Sequence, residues 1–275
     1  MQDLLNSGGP MRLKKCRRGY MLYSMNDTTI GRLFDTYGEF SESEVELLGK
    51  LVRPGDTVIE VGANIGALTV PLAQFVGPEG NVVVFEPQRV LFQNLCSNIA
   101  LNGLTNVRAF NAAVGLESGS VTLPKINYAE PSMFGSHTIE GATDGEQVQL
   151  VTLDKVVSTK SCRLMKIDVE GMEEQVVLGA AGLIKQHQPI LYVENDRQDK
   201  SPGLIKALLD LGYKLYWHLP PLCRDNNFFG HEKNFLPKMI SINMLCAPPE
   251  ITVAGMDALR ITSPDDWWKN SELRV

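Results

Sequence analysis

The chain has 275 residues, with 26 Lys and Arg against 32 Asp and Glu, and a formal net charge of −6. That acidic balance speaks against RNA or DNA as the substrate, because phosphate recognition wants a basic face. The length suits one α/β domain with a full core. No apolar run is long enough to span a membrane, and no signal-peptide pattern opens the chain. Five cysteines (Cys16, Cys96, Cys162, Cys223 and Cys246) show no ligand-like spacing and read as reduced thiols of a cytoplasmic protein.

In chain order, the basic cluster Arg12 to Arg18 reads as a solvated N-terminal segment. Ser41 to Leu51 is an amphipathic helix, with Ser41 and Glu44 spaced as a capping box. Val58 to Val61 is a buried strand, Ala67 to Phe75 a helix, and Asn81 to Phe85 a second, β-branched strand. A helix follows over Val90 to Leu101, ending at Asn102-Gly103. Val107 to Phe110 is a third strand, and Ser120 to Leu123 reads as part of a small hairpin. Lys125 to Gln147 is long and polar for a connection and reads as a substrate loop. Leu164 to Ile167 is the fourth strand, Met172 to Gln186 a helix, Ile190 to Val193 the fifth strand, and Pro202 to Leu211 a helix. Lys214 to Trp217 and Met239 to Leu245 are the sixth and seventh strands, separated by a long loop, Pro220 to Pro237. The domain organisation expected is a lead-in and cap helix over residues 1–50, the main domain over 51–250, and a tail over 251–275.

The strand Val58 to Val61 drops into a small-residue turn, Gly62-Ala63-Asn64-Ile65-Gly66, and then into a helix. Such a turn lets a nucleotide-like cofactor lie against backbone N–H groups. Two residues narrow the cofactor. Glu60 precedes the turn, and Asn64 stands where a dinucleotide fingerprint has its middle glycine. A carboxylate there repels a pyrophosphate and attracts a cation such as S-adenosylmethionine, which carries a sulfonium and an ammonium. At the end of the second strand, Glu86 is placed to accept the ribose hydroxyls, and Pro87 stops the strand behind it.

The stretches VIEVGANIG, VVVFEP, LNGLTNVRAFNAAVG and LMKIDVEGMEEQVVLGA resemble the successive motifs of FkbM-type methyltransferases. ILYVEN and NNFFG…NFLPKMISINMLC are similar to later family segments, and the likeness covers about residues 37 to 247. The resemblance implies a Rossmann-like class I methyltransferase fold: α/β, a seven-stranded mostly parallel sheet with helices on both faces. It implies S-adenosylmethionine-dependent methylation of a hydroxyl on a sugar, a glycan or a hydroxylated metabolite. It also implies that the segment around Tyr37 lies over the cofactor.

In that topology ligands sit beyond the carboxyl ends of the strands. Glu60, Glu86, Asn111 (followed by Ala112), Asp168 and Glu194 fall at the ends of five successive strands. Gly62, Ala63, Asn64, Gly66, Glu86, Pro87, Asn111, Ala112 and Asp168 are therefore the expected cofactor contacts, with Tyr37 and Glu60.

An alcohol is a poor nucleophile, so a base or a metal must help remove its proton. Asp168 and Glu170 are the first candidates, with Lys166 on the same side as Asp168 because strand side chains alternate. The other reading of Lys166 and Asp168 is a structural ion pair, and that of Glu170 a first-turn acid favoured by the helix dipole. Asp168, Glu170 and Glu194 could together hold a divalent ion such as magnesium, though no spacing demands one. His218 is a second base candidate. The loop Pro220 to Pro237, with Arg224, Asn226, Asn227, Phe228, Phe229 and His231, reads either as an acceptor site for a sugar or as a folded cap. Two other readings are a binding protein for the same cofactor without catalysis, and an NAD-linked oxidoreductase. A homo-oligomer is left open.

Overall fold

A computed structural model describes residue 5 and residues 8–138, 143–233 and 239–270. The chain opens with an antiparallel hairpin, β1 (Met11–Cys16) and β2 (Gly19–Ser24), in register from Met11↔Ser24 to Cys16↔Gly19. The basic cluster is thus a strand and not a solvated lead-in. Lys14 reaches Asp35 at 2.6 Å, Arg17 reaches Glu39 at 2.6 Å, and Arg18 pairs with Glu42. Glu39 and Glu42 are both buried, and a buried carboxylate without a cation is costly, so the acids fix where the cations lie.

Two helices follow, α1 (Ile30–Tyr37) and α2 (Glu42–Leu51). The capping box expected at Ser41 is not formed. Ser41 adopts a left-handed φ of 41°, and its hydroxyl donates to the Glu44 carboxylate instead of capping a backbone N–H.

The main layer is then built from β3 (Thr57–Val61), α3 (Thr69–Val76), β4 (Asn81–Phe85), α4 (Arg89–Leu101) and β5 (Val107–Phe110). A side sheet interrupts it: β6 (Ala113–Val114), β7 (Gly119–Pro124) and β8 (Gly145–Val151), in the order β6-β8-β7. The second strand of this hairpin takes up the end of the segment expected as one loop over Lys125 to Gln147, of which residues 139–142 lie outside the described residues. After α5 (Leu153–Val156) come β9 (Leu164–Ile167), α6 (Glu173–Gly179), α7 (Ala181–His187), β10 (Ile190–Glu194), α8 (Ser201–Asp210), β11 (Lys214–His218) and β12 (Asn243–Ala247). The single helix expected over Met172 to Gln186 is broken at Ala180, which leaves helical geometry with φ −114°.

The central sheet has eight strands, not seven. The order is β13-β11-β12-β10-β9-β3-β4-β5, where β13 is Arg260–Ile261. Strands β3, β4, β5, β9 and β10 run parallel. β12 runs antiparallel between β10 and β11. The eighth strand comes from the segment expected as a tail. It is held there by Trp267 packing edge-on against Trp217 at 5.9 Å.

Strand alternation sorts the core into two faces. Val58, Val82, Val84, Leu164, Ile190 and Tyr192 face α2 and α3. Ile59, Val83, Met165, Ile167, Leu191 and Val193 face α6, α7 and α8.

The connection from β11 to β12 folds back on the N-terminal segment. Arg224 reaches Glu46 at 2.7 Å, Glu39 at 3.3 Å and Glu42 at 3.9 Å. The Phe228 N–H donates to Glu39 at 2.8 Å, and the Phe229 N–H donates to the Tyr37 carbonyl at 3.1 Å. Replacing Arg224 by Ala leaves Arg17 and Arg18 to serve the buried acids alone. The expected result is a loss of about 1–3 kcal/mol in urea unfolding, with the larger part of a buried-pair penalty screened by solvent. An unchanged midpoint would show that the loop contributes nothing to holding the cap.

Candidate active site

The strand register explains why the acids meet. Val61 is level with both Phe85 and Ile167, Phe85 with Phe110, and Ile167 with Val193. The next residue of each strand therefore stands in one row: Gly62, Glu86, Asn111, Asp168 and Glu194. Backbone bonds carry the row one step past the strands, from Gly62 N–H to Phe85 O, Glu86 N–H to Phe110 O, and Asp168 N–H to Val61 O, at 2.9–3.1 Å. Gly62 has φ +83°, and a Cβ there would collide with the Asp168 carbonyl oxygen, so only glycine fits between the strands. Asn64 takes the left-handed conformation, φ 51°, which asparagine tolerates.

Above this row lies a cleft that opens to solvent at its mouth, with about 320 Å³ of space inside it, within the ~300–1,000 Å³ usual for a single-ligand pocket. Glu60, Gly62, Ala63, Asn64, Glu86, Lys166, Asp168, Glu170 and Glu194 line it. A narrow apolar slot adjoins the cleft, walled by Val61, Phe85, Pro87, Ala112, Val114 and Met172, with Glu86 and Asp168 at its rim. Its apolar lining suits a heterocycle.

Glu86 is held from behind. Its two carboxylate oxygens accept the N–H groups of Asn64 and Gln88, both at 2.8 Å. Burial nevertheless pushes its pKa up to about 7. Glu60 accepts the Thr69 hydroxyl at 2.6 Å and sits beside Lys166 in the sheet, and burial pushes it up to about 7 as well.

Lys166 is 4% exposed and donates to Asp168 at 2.7 Å. Burial pulls the ammonium down, but Asp168, Glu60 and Glu44 around it more than reverse this and raise its pKa. The expected ion pair is therefore present, but it lies in the cleft wall. Asp168 is the exposed partner, its side chain 35% accessible.

Glu170 sits in the left-handed region, φ 55°, and accepts Arg197 at 2.5 Å. Burial, then the neighbouring Asp168, pushes it up to about 7. Strain of this kind gathers at functional turns. The carboxylate oxygens of Asp168, Glu170 and Glu194 come within 4.8 Å of one another. Glu194 Oε2 is buried and has no hydrogen-bond partner among the described residues. Burial, then Asp168 and Glu170, raises its pKa well above the usual carboxylate range.

Four expected residues lie elsewhere. Gly66 lines neither the cleft nor the slot: it closes the turn, with φ +87° and its N–H donating to the Ala63 carbonyl at 2.8 Å. Tyr37 does not reach the cleft: it is buried with Leu33, Leu222 and Cys223, and its hydroxyl donates to the Lys233 carbonyl at 3.0 Å. The residue of that segment that lines the cleft is Phe40. Asn111 turns back and donates to the carbonyls of Glu86 and Pro87, at 2.8 and 2.9 Å, so it braces the Glu86 turn. His218 is no base for this cleft. Its Nδ1 meets the Tyr192 hydroxyl at 2.8 Å, and burial lowers its pKa to about 4.

Of the two readings of the loop Pro220 to Pro237, its described part fits the folded cap: Asn227 is spent on His231, and Arg224 on the three glutamates. Residues 234–237 of it lie outside the described residues. The cleft is also walled by Met133, Gly135, Ser136, residues 239–242 and, from the start of that loop, Leu222.

Sequence reasoning missed Glu44, Glu173 and Asp196. Glu173 accepts the N–H groups of Val169 and Gly171, at 3.0 and 3.1 Å, and so holds the turn that carries Glu170. Its place in the first turn of a helix after Asp-Val-Glu-Gly was the available signal. Asp196 lines the cleft beyond Glu194. Glu44 had a capping-box pattern that hid its other role.

The strand order of the central sheet, with a glycine turn after its middle strand and acids at the neighbouring strand ends, is that of a class I methyltransferase. The methyltransferase FkbM domain matches residues 60–215, and the chain belongs to that family. Among curated relatives, it is 38% identical over 82 residues to the catalytic subunit of tRNA (adenine(58)-N(1))-methyltransferase of Cryptococcus neoformans, covering 26% of this chain and 19% of that protein. It is 25% identical over 152 residues to Methyltransferase 1 of Beauveria bassiana, covering 46% of this chain and 59% of that one. Both matches leave a large part of the relative's length uncovered. A solved structure, methyltransferase FkbM from Methylobacillus flagellatus KT, is 15% identical and covers 74% of this chain and 50% of that chain, with a TM-score of 0.48.

A cation entering the cleft favours ionised Glu60 and Glu86, so it must drive off whatever protons they hold. Both have pKa values near 7, above the ordinary 4.5. Affinity for S-adenosylmethionine is therefore expected to rise from pH 6 to 8 and then level off, by up to about tenfold per unit for each proton released. S-adenosylhomocysteine, with the same amino-acid end but no sulfonium, should show a flatter profile by calorimetry. Parallel profiles would remove Glu60 from the sulfonium's surroundings, since Glu86 at the ribose acts on both ligands alike.

Proposed function

We propose that the protein transfers the methyl group of S-adenosylmethionine to a hydroxyl of a sugar, glycan or hydroxylated small metabolite. The observation that carries this reading is Asp168. It is the accessible carboxylate at the end of β9, level with the glycine turn, with a buried ammonium beside it. The nucleoside lies in the apolar slot with its ribose at Glu86, and the sulfonium faces Glu60 and Lys166–Asp168. The acceptor oxygen then approaches the methyl carbon opposite sulfur. Asp168 takes the hydroxyl proton, the oxygen–carbon bond forms, and the carbon–sulfur electron pair stays on sulfur. Alignment of this kind supplies several kcal/mol of the barrier reduction.

Carboxylates of Asp27, Glu44, Glu170, Glu194 and Asp196 surround the rest of the cleft, and Lys166 is its one lysine or arginine among the described lining residues. A phosphate-rich acceptor would be repelled, which speaks against a nucleic acid.

A divalent cation at Asp168, Glu170 and Glu194 is a second element of the reading, favoured by the unpartnered Glu194 Oε2. It would polarise the acceptor hydroxyl. Against it, Lys166 and Arg197 already pair two of the three acids.

Calorimetric titration with S-adenosylmethionine, with NAD as control and with and without magnesium, tests the reading. Saturable binding of the methyl donor alone is expected; preference for NAD would overturn it. Tighter donor binding or a separate heat with magnesium would place the ion, and no magnesium effect would remove it. Asp168→Asn is expected to weaken donor binding, since it removes a carboxylate that faces the sulfonium, and, at saturating donor, to lose at least about a hundredfold in labelled-methyl transfer to a panel of hydroxylated sugars. Undiminished transfer would exclude Asp168 as the base.

A further inference from the structure

The acids that end β3, β4, β9 and β10 all lie within the family-matched span, residues 60–215. Glu44 does not. It comes from α2 in the cap, is 3% exposed, and lines the same cleft as the glycine turn and Asp168.

The other acids of its segment end on arginine: Glu39 on Arg17 and Arg224, Glu42 on Arg18, and Glu46 on Arg224. The hydrogen bonds to Glu44 come from neutral donors, the Ser41 hydroxyl, the Asn243 amide at 3.1 Å and the Ser241 hydroxyl at 3.4 Å. Neutral donors fix a carboxylate in place without cancelling its charge. The ammonium beside it, Lys166, is shared with Glu60 and Asp168. Burial raises the pKa of both Glu44 and Glu60, so a cation at the place where the sulfonium would sit favours their ionised forms and is attracted by them in turn.

We infer that Glu44 is a specificity residue of the cofactor site, which makes the cleft prefer the cationic methyl donor to the neutral thioether that remains after transfer. This rests on the proposed reading of the cleft as a site for S-adenosylmethionine. In the reaction the methyl group leaves with the positive charge of sulfur, and the acceptor's proton moves to a carboxylate. The attraction from Glu44 is thereby lost at the moment of transfer, so the same residue that draws in the donor loosens the spent cofactor.

The test is calorimetry on the full chain with S-adenosylmethionine and S-adenosylhomocysteine, for the wild type, Glu44→Gln, Glu44→Asp and Glu46→Gln. Glu44→Gln is expected to weaken the sulfonium ligand about tenfold and the thioether less than about twofold, one unit of charge interaction being worth about that factor. Glu46→Gln removes the same charge from the same helix on its outer side and should move neither. Glu44→Asp draws the carboxylate back and should give an intermediate ratio; this variant decides the matter if Glu44→Gln does not fold. An unchanged ratio in the Glu44 variants, or an equal loss for both ligands, would make Glu44 a mere anchor of α2 and overturn the inference. A wild-type protein that binds neither ligand would overturn the methyltransferase reading itself, a different failure.

Discussion

Lys166 sits on the middle strands of the sheet, 4% exposed, with Glu60 of β3 and Tyr192 of β10 level with it on either side. A lone ammonium at that depth would cost several kcal/mol. Carboxylates must therefore converge on it, and they do so from three elements: Glu60 from the neighbouring strand, Asp168 from its own strand end, and Glu44 from α2. Each of these brings its own needs. Glu60 takes the hydroxyl of Thr69, which orients the start of α3. Glu44 takes Ser41, Ser241 and Asn243, which ties α2 to the strand β12. The position of the cap over the cleft follows from one buried charge.

The same logic governs the outer layer. Glu39 and Glu42 are buried where α1 passes into α2, and arginines from two distant segments close over them. The N-terminal hairpin and the loop between β11 and β12 become walls of one cap for this reason. The aromatic and amide residues of that loop are consumed in building the wall, and the cleft is lined by Met133, Ser136, Leu222 and the approach to β12.

Much of this was legible in the sequence. The parallel strands showed as apolar runs because both faces of the sheet are covered. The glycine turn and the acids at strand ends could be read together because strand length and alternation alone place them in a row. What failed had a common cause. Arg12 to Arg18 and Arg224 read as solvated or ligand-seeking, because a charge's partner lies tens to hundreds of positions away, as Glu39 does from Arg224. Ser41 and Glu44 fit a local capping pattern, and a competing bond between the two side chains replaced it. His218 read as a base candidate until Tyr192, brought alongside by strand pairing, took its ring nitrogen.

The sequence by itself determined the order of strands and helices, the turn that only Gly62 can make, and the set of acids carried to the strand ends, since each of these depends on residues close together in the chain. Only the tertiary structure decided which acids are paired, which remain to face a ligand, and which loop walls the acceptor. Those outcomes depend on burial and on contacts between distant segments. A carboxylate's charge and pKa are set by the dielectric and the cations around it, and neither is written in its neighbours along the chain.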